Sequence, residues 1–384
     1  MSTDTMLLPF YGGNETVSFP KLAGHFTVRR VYMRPQVVAI VPAFNEAETI
    51  AATVAALRAQ TYPIDRIIVV PNNCSDASAE VARGLGVEVW DMGLCLEKKA
   101  QALNQALALV LSSLSGNDRV LVTDGDSILD PASVAEAVTA LNRPIAGAAC
   151  ANFLGDETVG LLPQLQRNEY SRFARQVRRG GDRARVLSGV ATMFRVDALH
   201  EILRARQDGR LPAAVGVYHY GCATEDIELT FAFRRLGYRP VAPRRFIATT
   251  DTMSTADALW KQRLRWQRGM LDALRLYRLR RDTVAEHLRQ VAIYAGSLTV
   301  PLYLLFLAYV MFGLHTVPFD PRWLPLSAIF VAERVLTVRR DGWKAMALAA
   351  LMVPEWCYEQ FRSACYWHAT WKTWRNAARV WVAT

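Results

Sequence analysis

Asp124-Gly125-Asp126 places two carboxylates one residue apart, directly after the apolar run Val120-Leu121-Val122. Hard oxygen donors at such a point suit one small divalent cation, Mg²⁺ or Mn²⁺, which keeps further positions for phosphate oxygens. The same triplet also forms an Asx turn without any ligand, and its spacing alone does not decide between the two. A second acidic group, Thr224-Glu225-Asp226, precedes the helical pattern Ile227 to Leu236. Carboxylates there complement a helix start, and one left free could take a proton from a hydroxyl. Polar groups collect again at Pro42 to Glu46 and at Asn72 to Asp76, each behind an apolar run. Farther on, Trp260 and Trp266 interleave with Arg263, Arg265 and Arg268.

These side chains need a frame. Val37 to Val41, Ile67 to Val70, Val87 to Trp90 and Arg119 to Val122 read as short strands, the most apolar of them buried on both faces. Helical patterns over Glu46 to Gln60, from the Asn72 to Asp76 turn through Arg83, and over Lys99 to Leu114 alternate with them. That alternation predicts an α/β fold with a doubly wound, mostly parallel sheet. Ligands in such sheets bind beyond the carboxyl ends of the strands, where the Pro42, Asn72 and Asp124 groups fall. Residues 145–260 are less regular, and the arginines between Arg167 and Arg185 read mostly as a solvated helix face.

The 384 residues carry a net charge of +10, with 52% hydrophobic and 21% charged side chains. This excludes a disordered chain and one that lies wholly in a membrane. Met1 to Pro35 is expected to be irregular, with a basic end at Arg29, Arg30 and Arg34 and no signal-peptide pattern. The six cysteines show no paired CxxC spacing, which argues against zinc and for a reducing compartment. Residues 261–289 hold +6 of the net charge, whereas 290–319 contain no Asp, Glu, Lys or Arg. A basic flank beside an uncharged stretch predicts contact with a lipid bilayer, and this adjacency argues against nucleic acid as the partner. Two spans are expected at about 291–314 and 323–338, while 345–361 either crosses or lies along the surface. Trp367, Trp371 and Trp374 among Lys372, Arg375 and Arg379 suggest an interfacial tail. These expectations amount to a multi-pass protein of the cell membrane with its sheet domain in the cytoplasm. Nothing in the pattern fixes an oligomeric state.

Taken together, Val41-Pro42-Ala43-Phe44-Asn45-Glu46, Asn72-Asn73-Cys74-Ser75-Asp76, Lys99-Ala100-Gln101-Ala102-Leu103-Asn104, Asp124-Gly125-Asp126, Thr224-Glu225-Asp226 and Gln262-Arg263-Leu264-Arg265-Trp266 resemble the motifs of membrane-bound family 2 glycosyltransferases. That group includes hyaluronan, chitin and cellulose synthases and bacterial poly-N-acetylglucosamine synthases. The resemblance implies a GT-A type domain over 36–260, a basic interfacial region over 261–289 and C-terminal transmembrane and interfacial helices over 290–384. It implies a nucleotide-sugar donor, most often UDP-linked, and Mg²⁺ or Mn²⁺. By the same resemblance Pro42, Ala43, Glu46, Asn72 and Asn73 would contact the nucleoside and Lys99 would approach the diphosphate. Asp124 and Asp126 would hold nucleotide and metal, and Asp226 would be the base. Glu225, Gln262 and Trp266 would border a glycan or lipid-linked acceptor, with Arg265 beside the diphosphate. Many relatives carry Asp where this chain has Asn72, which leaves the nucleotide open. The implied activity is inverting transfer at the membrane, extending a polysaccharide. The alternatives are a single addition to a polyprenyl phosphate or glycolipid, and a non-catalytic scaffold.

Overall fold

The computed structural model describes residues 16–21, 24–29, 34–316 and 320–375. Strands β1 (Thr16–Lys21) and β2 (Gly24–Arg29) pair as an antiparallel hairpin, so part of the segment expected to be irregular is ordered backbone. Arg30 and the tail beyond Arg375, including Arg379, lie outside the described residues.

The four expected strands form as β3 (Val37–Ala43), β4 (Arg66–Pro71), β5 (Glu88–Val89) and, after the helices between them, β6 (Arg119–Thr123). Their connections are α1 (Ile50–Arg58), α2 (Ser78–Gly84) and α3 (Lys98–Leu111). Every residue of β3 is buried, and its side chains serve two cores in alternation. Val38 and Ile40 meet Leu103 and Leu107 of α3, while Val37, Ala39 and Val41 meet Ile50, Val54 and Leu57 of α1. A strand that feeds two apolar layers has to be apolar throughout, which is why the sequence pattern found it.

Next come β7 (Ile128–Leu129), α4 (Ser133–Leu141), β8 (Ala148–Cys150), β9 (Asn152–Gly155), α5 (Leu161–Arg179), β10 (Ala191–Arg195), α6 (Val196–Gln207), α7 (Glu225–Arg235), β11 (Ile247–Thr250) and α8 (Ala256–Tyr277). The main sheet has the order β5-β4-β3-β6-β10-β8. Strands β5, β4, β3 and β6 are parallel, but β10 runs antiparallel to both β6 and β8, so the sheet is mixed where a mostly parallel one was expected. The short run Ala191–Arg195 contains no signal for direction, because composition reports burial and not polarity of the chain. A second sheet, β7-β11-β9, stands beyond the end of β6 and brings further strand ends to the same edge.

The C-terminal part departs most from expectation. Helix α9 (Val284–Ala308) continues into a π-helical turn, Tyr309–Gly313, giving 30 residues with Pro301 inside. Among the described residues this is the one helix long and apolar enough to cross a membrane. The second expected span is α10 (Leu324–Thr337), whose 14 residues reach only about 21 Å, short of a ~30 Å hydrocarbon layer. The third stretch is two helices, α11 (Trp343–Leu351) and α12 (Val353–Trp374), broken at Met352 with φ +58°. Multiple crossings are therefore not supported. Charged side chains inside those stretches have partners on the sheet domain: Glu355 is 2% exposed and pairs with Arg172 of α5 and Arg334 of α10. Glu169 of α5 likewise holds Arg263 of α8 and Arg362 of α12. These helices dock onto the sheet domain through buried ion pairs.

Candidate active site

Turns at the strand ends are tied to one another before any site forms. Asn45 takes φ +58° and its Oδ1 accepts from Ser75 N at 2.8 Å, while Ser78 Oγ accepts from Glu46 N at 2.7 Å. Asn72, 3% exposed, donates from Nδ2 to Ala43 O and Val70 O, joining the ends of β3 and β4. Asn73 clamps the 92–97 loop by accepting from Cys95 N and donating to Cys95 O, and it does not line the site. Gly125 is required between the two aspartates, since a Cβ there would lie 2.9 Å from Glu46 Cγ.

Pro42, Ala43, Glu46, Asn72, Lys99, Asp124, Asp126 and Arg265 surround one cavity of about 90 Å³. A second, of about 130 Å³, shares Lys99, Asp124, Asp126 and Arg265 with it and adds Glu225, Asp226, Gln262 and Trp266. Every site residue expected from the sequence except Asn73 is thus brought to one connected space. Lys99 does not face open solvent; its Nζ pairs with Asp124 Oδ1 and lies 3.4 Å from Glu225 Oε1. The backbone of Gly189 marks the centre, because a Cβ there would be 3.1 Å from Lys99 Nζ, 3.4 Å from Asp124 Oδ2 and 3.8 Å from Asp226 Oδ2.

Helix α7 presents Glu225 and Asp226 in its first turn, with Thr224 as N-cap. Asp226 Oδ2 accepts from Gly189 N at 3.1 Å and Oδ1 from Ile227 N at 2.7 Å. A buried network fixes this helix: Glu228 pairs with Arg206 of α6 at 2.8 Å and accepts from Tyr277 OH of α8 at 2.6 Å. Burial, then the charge of Glu225, pushes the Asp226 carboxyl up to about 6, although Lys99 and Arg265 oppose this. Burial acts on Glu225 in the same direction and is the largest single effect, but the charges of Lys99 and Arg265 and the hydrogen bonds to this carboxyl together hold it below its usual range. The pair is thereby split into one ionised acid and one able to exchange a proton near neutrality.

Asp126 is pushed up to about 7, first by burial and then by Asp124, Glu46 and Asp251. Asp251 and Gly189 escaped the sequence reading. The first follows Ile247–Thr250 as Asp124 follows β6, a signal lost because β11 lies in the less regular segment. No cluster of three His, Cys, Asp or Glu side chains suited to a metal occurs among the described residues. The donor set still fits a Mg²⁺ or Mn²⁺ ion, which typically takes one or two carboxylates and completes its shell with waters and phosphate oxygens. The crowding that raises Asp126 is the charge such a cation would relieve.

Comparison with known proteins agrees with this geometry. The model of the family described as "Glycosyltransferase like family 2" matches residues 35–269. Poly-beta-1,6-N-acetyl-D-glucosamine synthase of Staphylococcus epidermidis is 25% identical over 233 residues, 59% of this chain and 52% of that protein. The enzyme of the same name from Staphylococcus aureus (strain COL) is 26% identical over the same shares. The chain spans about half the length of these curated relatives. Among solved structures, the mannosyltransferase PcManGT from Pyrobaculum calidifontis, in complex with GDP-Man and Mn²⁺, superposes with a TM-score of 0.58 at 16% identity, covering 90% of this chain and 89% of that one. That likeness is one of fold, the GT-A arrangement of a mixed sheet with its ligand edge. A family match across well over half the chain, on a fold that gathers its motifs into one cleft, makes this protein a member of the family 2 glycosyltransferases.

Proposed function

We propose that this enzyme moves a sugar from a nucleotide-sugar donor, UDP-linked, to a hydroxyl of a growing glycan at the cytoplasmic face of the cell membrane, with inversion at the anomeric carbon. The observation that carries this reading is the shared wall of the two cavities: Lys99, Asp124, Asp126 and Arg265 on the donor side lead directly to Asp226 and Trp266. Asp124 and Asp126 would hold a divalent cation, whose chemistry is to neutralise the departing diphosphate. Arg265 and Lys99 supply fixed positive charge to the same leaving group. Pro42, Ala43, Glu46 and Asn72 form the nucleoside side. Asp226 accepts the proton of the acceptor hydroxyl as its oxygen bonds to the anomeric carbon, and the electron pair of the broken bond leaves with the diphosphate. One base suffices for a direct displacement, and inversion follows from its geometry. The name of the curated relatives supports a polysaccharide product, and helix α9 supports anchorage beside it.

The test is a panel of nucleotide sugars with Mn²⁺ or Mg²⁺, scoring nucleotide release and product length together. Turnover of a UDP-sugar with a ladder of products is expected; single additions only would favour a polyprenyl phosphate or glycolipid acceptor. Asp226→Asn should lower kcat by about 10³-fold or more while donor affinity changes little. Retained turnover in that variant would remove Asp226 from its role.

A further inference from the structure

Residues 208–224 join α6 to α7 without a helix or strand of their own, and a connection of that length inside a compact domain usually serves a function. Val217 and Tyr218, in its middle, are buried and held from two sides. From α3, the side chain of Asn104 pairs with Tyr218 as a neighbouring strand would: Nδ2 donates to Tyr218 O and Oδ1 accepts from Tyr218 N, both at 2.8 Å. From α6, Arg206 donates to Val217 O at 2.7 Å and to Pro212 O at 2.9 Å, and Glu228 of α7 neutralises it. Gly216 completes the first contact, since a Cβ there would lie 2.5 Å from Asn104 Cγ. Asn104 ends the run Lys99-Ala100-Gln101-Ala102-Leu103-Asn104, in which the family resemblance gives a role to Lys99 alone.

The place of Tyr218 connects this clamp to the chemistry. With Lys99, Gly189, Glu225 and Asp226 it lines one small pocket. Burial and then the Glu225 charge push its phenol far up, so the ring stays neutral beside the two acids. Lys99 stands on the same helix as Asn104, and Glu225 and Asp226 begin the helix that the 208–224 connection delivers. One side chain therefore ties the helix that carries the Lys99 ammonium to the segment that carries the acids into the cleft. The 3.4 Å between Lys99 Nζ and Glu225 Oε1 spans the same two helices. Asn104 itself lines neither cavity of the cleft, so any effect it has on the reaction passes through Tyr218.

We propose that Asn104 is a positioning residue for the transfer: through Tyr218 it fixes the segment that delivers Asp226 against the helix that carries Lys99, so that base and donor side keep one geometry. The proposal rests on Asp226 being the base. Without the clamp the connection is free to shift, and a displacement of ~1 Å at a reacting group costs about 100-fold in rate.

The experiment uses the full chain in detergent with a nucleotide sugar that it turns over, and reads kcat, donor KM and melting temperature. Asn104→Ala should lower kcat about 10- to 100-fold with donor KM held within about twofold. Gly216→Ala presses on the same contact from the other side and should give the same split; where one of the two fails to fold, the other carries the test. Leu141→Ala, in the core that meets α1, is the control, which lowers the melting temperature and keeps kcat. The decisive arm places Asn104→Ala on Asp226→Asn. A residue that acts through Asp226 has nothing left to position there, so the further loss should be less than about threefold. Full multiplication of the two losses, a rise in donor KM in place of the fall in kcat, or a kcat that falls in Leu141→Ala as far as in Asn104→Ala would each overturn the positioning role. Asp226→Asn by itself decides the parent reading, because turnover retained in that single variant removes the base, and this role with it, whatever Asn104→Ala shows.

Discussion

Burial together with Asp124, Glu46 and Asp251 makes Asp126 bind its proton more tightly in the folded chain than in the unfolded one. Its stabilising contribution is thus complete below the unfolded carboxylate range and is lost as pH rises to about 7. Metal-free protein should accordingly melt at lower temperature at pH 8 than at pH 5.5 as far as this group is concerned. Asp126→Asn should reduce that difference and raise the melting temperature at pH 8 by roughly 2–4 °C, while transfer activity is lost. A fall in melting temperature at pH 8 would show that the aspartate serves stability instead. Asp226 gives the matching kinetic prediction. As a base with its carboxyl raised to about 6, it is disabled by protonation, so kcat/KM should drop about tenfold for each pH unit below that point. A profile flat down to pH 5 would exclude it. Both residues were visible in the sequence as carboxylates at an element boundary, but their opposed environments were not, because burial and neighbouring charge arise only when distant segments meet.

Helices α7 and α8 must pack closely for Asp226 and Trp266 to share a wall. Gly269, in the middle of α8, makes this possible. A Cβ there would lie 2.8 Å from Thr224 Cβ and closer still to its hydroxyl, so the N-cap of α7 would have to shift. Gly269→Ala is expected to lower kcat/KM at least tenfold and to destabilise the fold by about 1–3 kcal/mol. Adding Thr224→Gly should recover part of the rate by vacating the contact; an inactive double variant would place the fault elsewhere than in this packing. The spacing Gln262 to Trp266 was legible as a motif, and Gly269 was not, because a lone glycine in a helical pattern shows only its cost in propensity until the opposing element is known.

The buried charges of the C-terminal helices work over the whole molecule. Glu355 links α12 to α5 and α10, and removing it strands two guanidinium groups at a docking surface. Glu355→Ala should destabilise the protein by about 3 kcal/mol or more, read as a lowered melting temperature in detergent. An unchanged value would mean that α12 docks weakly. Beyond these contacts α9 exposes Leu298, Leu302, Tyr303, Leu305 and Phe306, an apolar surface that suits lipid. The protein should stay with membranes through washes in high salt and be released by detergent, and release by salt alone would indicate an electrostatic attachment only.

Strands β3, β4 and β6, the ligand edge of the sheet and the Pro42, Asn72 and Asp124 groups on it follow from local sequence, whereas Lys99, Gln262, Arg265 and Trp266 were expected there only through the family resemblance. A strand buried on both faces must be continuously apolar, and a polar group directly behind it has to lie at the strand's end. Tertiary structure alone decided what depends on encounters between distant segments. The antiparallel direction of β10 was not legible, because a short apolar run carries no signal for it. Asn73 turned away to hold Cys95 instead of facing the cleft. The stretches at 323–338 and 345–361 form helices that dock on the sheet domain, where Glu355 finds arginine partners that hydropathy cannot register. Composition reports how much a residue prefers to leave water, and only the fold determines what it leaves water for.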